Sequence, residues 1–142
     1  MQKTGVVVDE YLAQVTPAVR RRDAQTLIGL MREVTGREPE MWSGSIVGFG
    51  TCRYTYPTGT SGESPILGFA ARTTASTLYV LDNVEEHEDA LARLGPHTRG
   101  KGCVYLKDLE RNDLDALRTL FQHAYDEVVA GGQGYAEFTV LD

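Results

Sequence analysis

The fold is decided by residues 46–56, IVGFGTCRYTY, where the spacing of apolar residues changes from helical to strand-like. Two short β-type runs, 46–49 and 52–56, are separated here by a two-residue turn. Two further runs follow, at 66–71 and 77–81, after links rich in Gly, Pro, Ser and Thr. Because links this short cannot hold a crossover helix, we predict that these four strands form an antiparallel meander.

The chain before this stretch has two segments with helical periodicity, separated by Thr16-Pro17. The apolar stripes are Val8, Tyr11, Leu12 and Val15, then Ala24, Leu27, Ile28, Met31 and Val34. Gly36 is expected to end the second helix, and Pro39 to prevent its continuation. Most charged residues of this segment are expected on its solvent side: Arg20, Arg21, Arg22, Asp23 and Arg32.

After the meander, the pattern predicts a helix over 84–94 capped by Asn83, a fifth strand over 103–107, and a last helix capped by Asn112 or Asp113. The order of elements predicts an α+β domain. It has a five-stranded, mainly antiparallel sheet, with the N- and C-terminal helices packed on one face. We expect residues 1–130 to form this single domain, and residues 131–142 to be a tail or an edge strand.

Period-two alternation divides the strand residues between two faces of the sheet. The residues expected to face the helices are Val47, Phe49, Leu67, Phe69, Leu78, Val80, Val104 and Leu106. The residues expected on the other face are Gly48, Gly68, Arg72, Tyr79, Tyr105 and Lys107, with Arg53 or Tyr54 depending on register. This composition suits a ligand-binding surface, a homodimer interface or a solvated face, and the sequence leaves the three open.

Composition excludes several classes of protein. The 142 residues carry a formal charge of −6, which argues against a nucleic-acid binder that depends on a basic surface. No apolar run approaches the roughly 20 residues of a membrane span, and the first residues lack a secretory signal. The two cysteines, Cys52 and Cys103, are typical of a reducing compartment, so we expect a cytoplasmic protein.

Residues 95–101, GPHTRGK, have the spacing G-x-x-x-x-G-K of a phosphate-binding loop. The context differs, because a predicted helix precedes the motif, a predicted strand follows it, and Gly102 stands where that loop has Ser or Thr. A nucleotide-binding loop is therefore not expected. A glycine-rich basic loop can still bind an anion through its N–H groups, and an ordinary connection is the alternative.

Two other clusters contain side chains that could bind a metal or take part in catalysis. The acidic run that surrounds His87 makes Glu85, Glu88 and Asp89 the candidate metal ligands, although acidic residues in a first helical turn are more often a solvated surface. The three histidines have no metalloprotease spacing, and Cys103 has no base assigned to it. The sequence therefore predicts no catalytic residues and no cofactor.

Several segments resemble the YdhG-like family, catalogued as a domain of unknown function. Residues 41–50, MWSGSIVGFG, match its opening "MWGGSIVGFG", and 94–103, LGPHTRGKGC, match a later segment; the resemblance covers about residues 8–121. This sequence differs from the family pattern at positions 52, 53, 73 and 102. The family resemblance implies an α-β-α fold with an antiparallel sheet, like secretion-chaperone-type domains. Some relatives carry the label of intracellular iron chaperone, likened to frataxin.

These observations predict a non-catalytic domain that binds a small anionic or aromatic ligand. The residues expected to contact it are Trp42, Arg72, Tyr79, His97, Arg99 and Lys101. Aromatic faces supply contact area, glycines permit close approach and cations neutralise an anion. Trp42 fits the hydrophobic core equally well. The alternatives are an iron-binding chaperone and an undetected enzyme. A homodimer is expected from the tyrosine-rich face.

Overall fold

The computed structural model describes residues 1–80, 87–100, 102–132 and 136–142. The helices are α1 (Val8–Ala13), α2 (Ala18–Thr35), α3 (Glu88–Leu94) and α4 (Leu114–Val129). The strands are β1 (Glu40–Trp42), β2 (Ile46–Phe49), β3 (Cys52–Thr55), β4 (Ser61–Ser64), β5 (Leu67–Ala71), β6 (Ser76–Val80), β7 (Thr98–Arg99), β8 (Cys103–Leu106) and β9 (Glu137–Val140). None of the helices in these ranges is both long and apolar enough to cross a membrane.

The strands form two antiparallel sheets, which confirms the α+β class. One sheet has six strands in the order β1-β2-β5-β6-β8-β7, and the other has three in the order β4-β3-β9. The predicted five-stranded sheet is therefore wrong. The short edge strands β1 and β7 were not predicted, and β4 lies in a stretch that was assigned largely to a turn.

The prediction that four consecutive strands form one meander is wrong for β3. This strand pairs with β4 across a turn in which the Tyr56 N–H donates to the Thr60 carbonyl at 2.8 Å, and on its other side with β9. Meanwhile, β2 pairs directly with β5, and the Ile66 N–H donates to the Phe49 carbonyl at 3.0 Å. The hairpin of β3 and β4 thus leaves the main sheet between two of its neighbouring strands.

The core lies between one face of the six-stranded sheet and helices α2, α3 and α4. All eight strand residues predicted to face the helices belong to this core, and each is at most 2% exposed. Leu27 and Met31 from α2, together with Leu117 and Phe121 from α4, pack in the same cluster. The predicted assignment of these eight residues to the helix side of the sheet is therefore confirmed.

The expected solvent position of Arg20 and Asp23 is wrong, since both are buried, with 3% and 0% exposed. Arg20 Nη1 donates to Ser76 Oγ at 3.1 Å and to the Leu106 carbonyl at 3.0 Å. The Leu109 N–H donates to Asp23 Oδ2 at 3.2 Å. Because α2 begins over the ends of β6 and β8, Arg20 bonds to groups of these strands instead of water. Asp23 accepts from Arg22 and Leu109 and lies 3.8 Å from Arg20 as an ion pair.

The ends of the helices agree with the sequence in part. Gly36, with a φ of 67°, follows α2 in the left-handed conformation. Asp113 caps α4, since its side chain accepts hydrogen bonds from the N–H groups of Asp115 and Ala116. The helix predicted from residue 84 is described from Glu88 onward, and its proposed cap Asn83 lies outside the described residues.

Candidate functional site

The face of the six-stranded sheet opposite α2, α3 and α4 carries Trp42, Arg72, Tyr79, Cys103 and Tyr105, and is called the open face below. Residues paired across antiparallel strands lie on the same side of a sheet, so the register assigns them to rows. One row comprises Glu40, Gly48, Gly68, Tyr79 and Cys103. In the row beside it, Thr77 pairs with Tyr105, which pairs with Thr98.

Trp42 is a buried residue of this face, with 2% of its surface exposed. It forms a small cluster with Ile46 and Ala70, against which Tyr79 packs, and no described helix residue belongs to that cluster. Its Nε1 has no hydrogen-bond partner among the described residues. The structure therefore places Trp42 beside Tyr79, beneath the surface rather than on it.

The glycines of the open face make room for protein groups. A Cβ on Gly48 would lie 2.5 Å from Trp42 Nε1 and 2.6 Å from Pro65 Cβ. A Cβ on Gly68 would lie 3.1 Å from Ile46 Cγ2. The space above these two residues is thus occupied by the chain itself, and the part of the face accessible to a ligand lies over β6 and β8.

That accessible part is formed by Tyr79, Cys103 and Tyr105, all half-buried. The charge of the Cys103 thiolate is the main cause that raises the pKa of Tyr105, followed by partial burial, a hydrogen bond with Cys103 and the charge of Tyr79. The phenol hydroxyl of Tyr105 can donate a hydrogen bond. A Cβ on Gly100 would lie 2.9 Å from the Tyr105 hydroxyl, so this side chain lies close over the β7–β8 loop.

Arg72 lies at the end of the open face, just after β5. Its Nη2 donates to the Gly44 carbonyl at 2.9 Å, and its backbone N–H donates to the Ala75 carbonyl at 3.0 Å. The side chain is exposed. Arg72 is thus held across the β1–β2 turn while its guanidinium remains in contact with solvent.

The basic loop meets this face through Thr98 and Gly100, but its predicted ligand contacts His97 and Arg99 do not lie there. Arg99 pairs with the core residue Val104 and so points to the helix side, where its Nη1 lies 2.6 Å from Glu88 Oε1. Its Nε donates to His97 Nε2 at 3.2 Å, which leaves His97 Nδ1 to donate to the Gly95 carbonyl at 2.7 Å. The structure therefore places His97 and Arg99 with α3, apart from Arg72 and Tyr79. Lys101 lies outside the described residues.

A cleft of about 320 Å³ separates α3 from α4 on the helix side. It is lined by His87, Glu88, Asp89, Ala90, Arg93, Thr119 and His123. The rings of His87 and His123 lie 6.1 Å apart at 27°. Within the described ranges, no three His, Cys, Asp or Glu side chains are close enough to hold a metal ion. Of the predicted metal ligands, Glu88 is paired with Arg99, and Glu85 lies outside these ranges.

Cys103 and Thr98 were not among the predicted ligand contacts. Cys103 precedes Tyr105 by two residues in a strand, and this spacing alone places both on one face. Thr98 could not be placed from the sequence, because β7 has only two residues and no periodicity to recognise.

No protein-family model, curated protein or solved structure matches the chain. The resemblance to the YdhG-like family accordingly stays a prediction.

Proposed function

We propose that this chain is a non-catalytic domain that binds a small anionic or aromatic molecule on the open face, over Tyr79 and Tyr105. The observation that carries the proposal is the alignment of Tyr79, Cys103 and Tyr105 as half-buried neighbours. They lie on the side of the sheet that faces away from the helical core. Two tyrosines in adjacent rows supply apolar ring area with a polar hydroxyl at its edge, which suits contact with an aromatic molecule.

The chemistry of these side chains favours a ligand that accepts hydrogen bonds. The two phenol rings supply flat apolar area, and the hydroxyl of Tyr105 can donate a hydrogen bond. Arg72 adds a fixed positive charge on an otherwise acidic protein. A small aromatic compound with a phosphate or carboxylate group combines both features.

A binding role is favoured over catalysis by the surroundings of Cys103. Its described neighbours on this face are two phenols, whereas a nucleophilic thiol is commonly activated by an adjacent base such as an imidazole or by a nearby cation. His97, the nearest histidine in sequence, is engaged with Gly95 and Arg99 on the helix side.

Calorimetric titration with phenyl phosphate tests the proposal. We expect Arg72→Gln to weaken binding roughly tenfold, because a hydrogen bond to a charged group contributes about 1.5–3 kcal/mol. Tyr105→Phe, which keeps the ring and removes the hydroxyl, is expected to weaken binding by a smaller factor. The control is Arg53→Gln, which removes an exposed arginine of the three-stranded sheet. Equal affinity in all four proteins contradicts the proposal.

Four further expectations accompany this function: membership in the YdhG-like family, a secretion-chaperone-like fold, a cytoplasmic location and a homodimer. Light scattering that gives a monomer mass at tens of micromolar protein contradicts the dimer. The iron-chaperone alternative has less support, because Glu88 is already paired with Arg99. Anaerobic titration with Fe²⁺ tests it, and the absence of binding heat removes it.

A further inference from the structure

The first residues of the chain add a short strand to the outer edge of β1. The Ser43 N–H donates to the Gln2 carbonyl at 2.7 Å, and the Thr4 N–H donates to the Met41 carbonyl at 2.9 Å. Between these two bonds, Lys3 pairs with Trp42 in antiparallel register. Lys3 and Trp42 therefore lie on the same side of the sheet, which is the open face.

Lys3 covers the indole of Trp42. Its Nζ lies 5.7 Å from the centre of the ring and 3.1 Å from Glu40 Oε1. Both partners of this ion pair are well exposed, with side-chain exposures of 39% and 53%, and exposed pairs contribute little to stability. The attachment of residues 2–4 is therefore weak compared with the paired strands inside the sheet.

The connection to α1 permits movement. Residues 5–7 are exposed, and Val6 and Val7 are 51% and 54% exposed. Gly5 has a φ of +77°, and no atom lies within 4 Å of the position of an added Cβ. This junction can change its backbone angles without displacing packed side chains.

The position of residues 2–4 matters for the indole N–H of Trp42. Its Nε1–H is buried without a partner among the described residues, and an unsatisfied buried donor is unfavourable. A ligand acceptor that reached the indole would satisfy this donor, but Lys3 and Pro65 flank the ring.

We infer that residues 2–4 form a displaceable strap over Trp42. When the strap leaves the β1 edge, the part of the indole that Lys3 covers becomes accessible, and the ligand site of the open face extends from Tyr79 to Trp42. The ligand part of this inference rests on the proposed function, whereas the movement of the strap does not.

Hydrogen exchange tests the movement in the unmodified chain. Trp42 is the only tryptophan, so its indole N–H gives a single resonance. We expect this proton and the Thr4 amide to exchange with the same opening free energy, and much faster than the amides of the central strand β5. Exchange of the indole only together with the β5 amides would show that it opens by global unfolding, which overturns the strap.

The variant Thr4→Pro tests the link to binding, since proline removes the N–H that bonds to Met41. We expect stronger acrylamide quenching of Trp42 and about threefold or greater tightening for phenyl phosphate, because the competent state is more populated. The control Thr4→Ser keeps both the N–H and the hydroxyl that donate to the Met41 carbonyl, and it should change neither. Greater quenching without tighter binding overturns the link. Binding to neither protein overturns the proposed function, and the exchange experiment then decides the strap by itself.

Discussion

The two faces of the six-stranded sheet are built from alternate residues of the same strands, yet they differ in almost every physical property. In β6, Leu78 and Val80 are 0% and 2% exposed against the helices, whereas Tyr79 between them is half-buried on the open face. The covered face is apolar and sealed at one end by the Arg20 and Asp23 contacts. The difference teaches that the main core lies on one face, whereas the open face combines a small apolar cluster around Trp42 with half-buried tyrosines over β6 and β8.

The largest effect is expected for Phe69→Ala on the covered face. Phe69 is fully buried in the main core, and its truncation leaves a cavity, so unfolding should become easier by about 3–5 kcal/mol. Urea denaturation measures the change. The matched variant Tyr79→Phe on the open face should alter stability by less than about 1 kcal/mol. Similar losses in both variants would show that the two faces do not differ as described.

A loss of about 3 kcal/mol is expected for Asp23→Ala, because Arg20 stays buried without its carboxylate neighbour. The double variant Arg20→Met/Asp23→Ala should recover part of this loss, since no buried charge remains there. Denaturation of both variants tests the point. A double variant that is less stable than Asp23→Ala alone would mean that the arginine contributes chiefly through Ser76 and Leu106.

A smaller loss, about 1–3 kcal/mol, is expected for Gly48→Ala on the open face. The added methyl would lie 2.5 Å from the Trp42 indole and 2.6 Å from Pro65. The control is Gly29→Ala in α2, where nothing lies within 4 Å; this change should stabilise the helix by roughly 0.5–1 kcal/mol. Trp42 fluorescence should shift only in the first variant, and opposite signs in thermal denaturation would confirm the contrast.

The smallest expected change in stability appears at acidic pH. The Glu110 N–H and the Arg22 guanidinium lower the pKa of Asp108. Its carboxylate therefore stabilises the native state above the ordinary carboxyl pKa of about 4, and this contribution is lost as pH falls through the lowered value. Asp108→Asn should flatten the acid limb of a stability profile between about pH 5 and 2. An unchanged profile would show that the contact contributes nothing.

The sequence predicted local features better than pairings between distant segments. The stripe of α2 and the eight core-facing strand residues follow from periodicity, which each segment carries by itself. The departure of β3 depends on pairing with β9, more than 80 residues later in the chain, and no local pattern encodes that choice. Likewise, Arg20 is buried because its partners come from β6 and β8.

The candidate site was predicted in part for the same reason. Alternation placed Tyr79, Arg72 and Tyr105 on one face, which the register supports. It could not show that the two residues of β7 direct Arg99 toward Glu88, or that Lys3 covers Trp42. Both contacts depend on edge strands that are too short to show a periodic pattern in the sequence.

The measurement that tests the central claim most directly is an NMR titration of the ¹⁵N-labelled chain with phenyl phosphate. We expect the amide signals of Tyr79, Cys103 and Tyr105 to move together, and Tyr105→Phe to reduce these shifts. The amide signals of Ala90 and Thr119, which line the cleft between α3 and α4, should not move. Shifts confined to that cleft, with the open face unchanged, would contradict the assignment of binding to the open face.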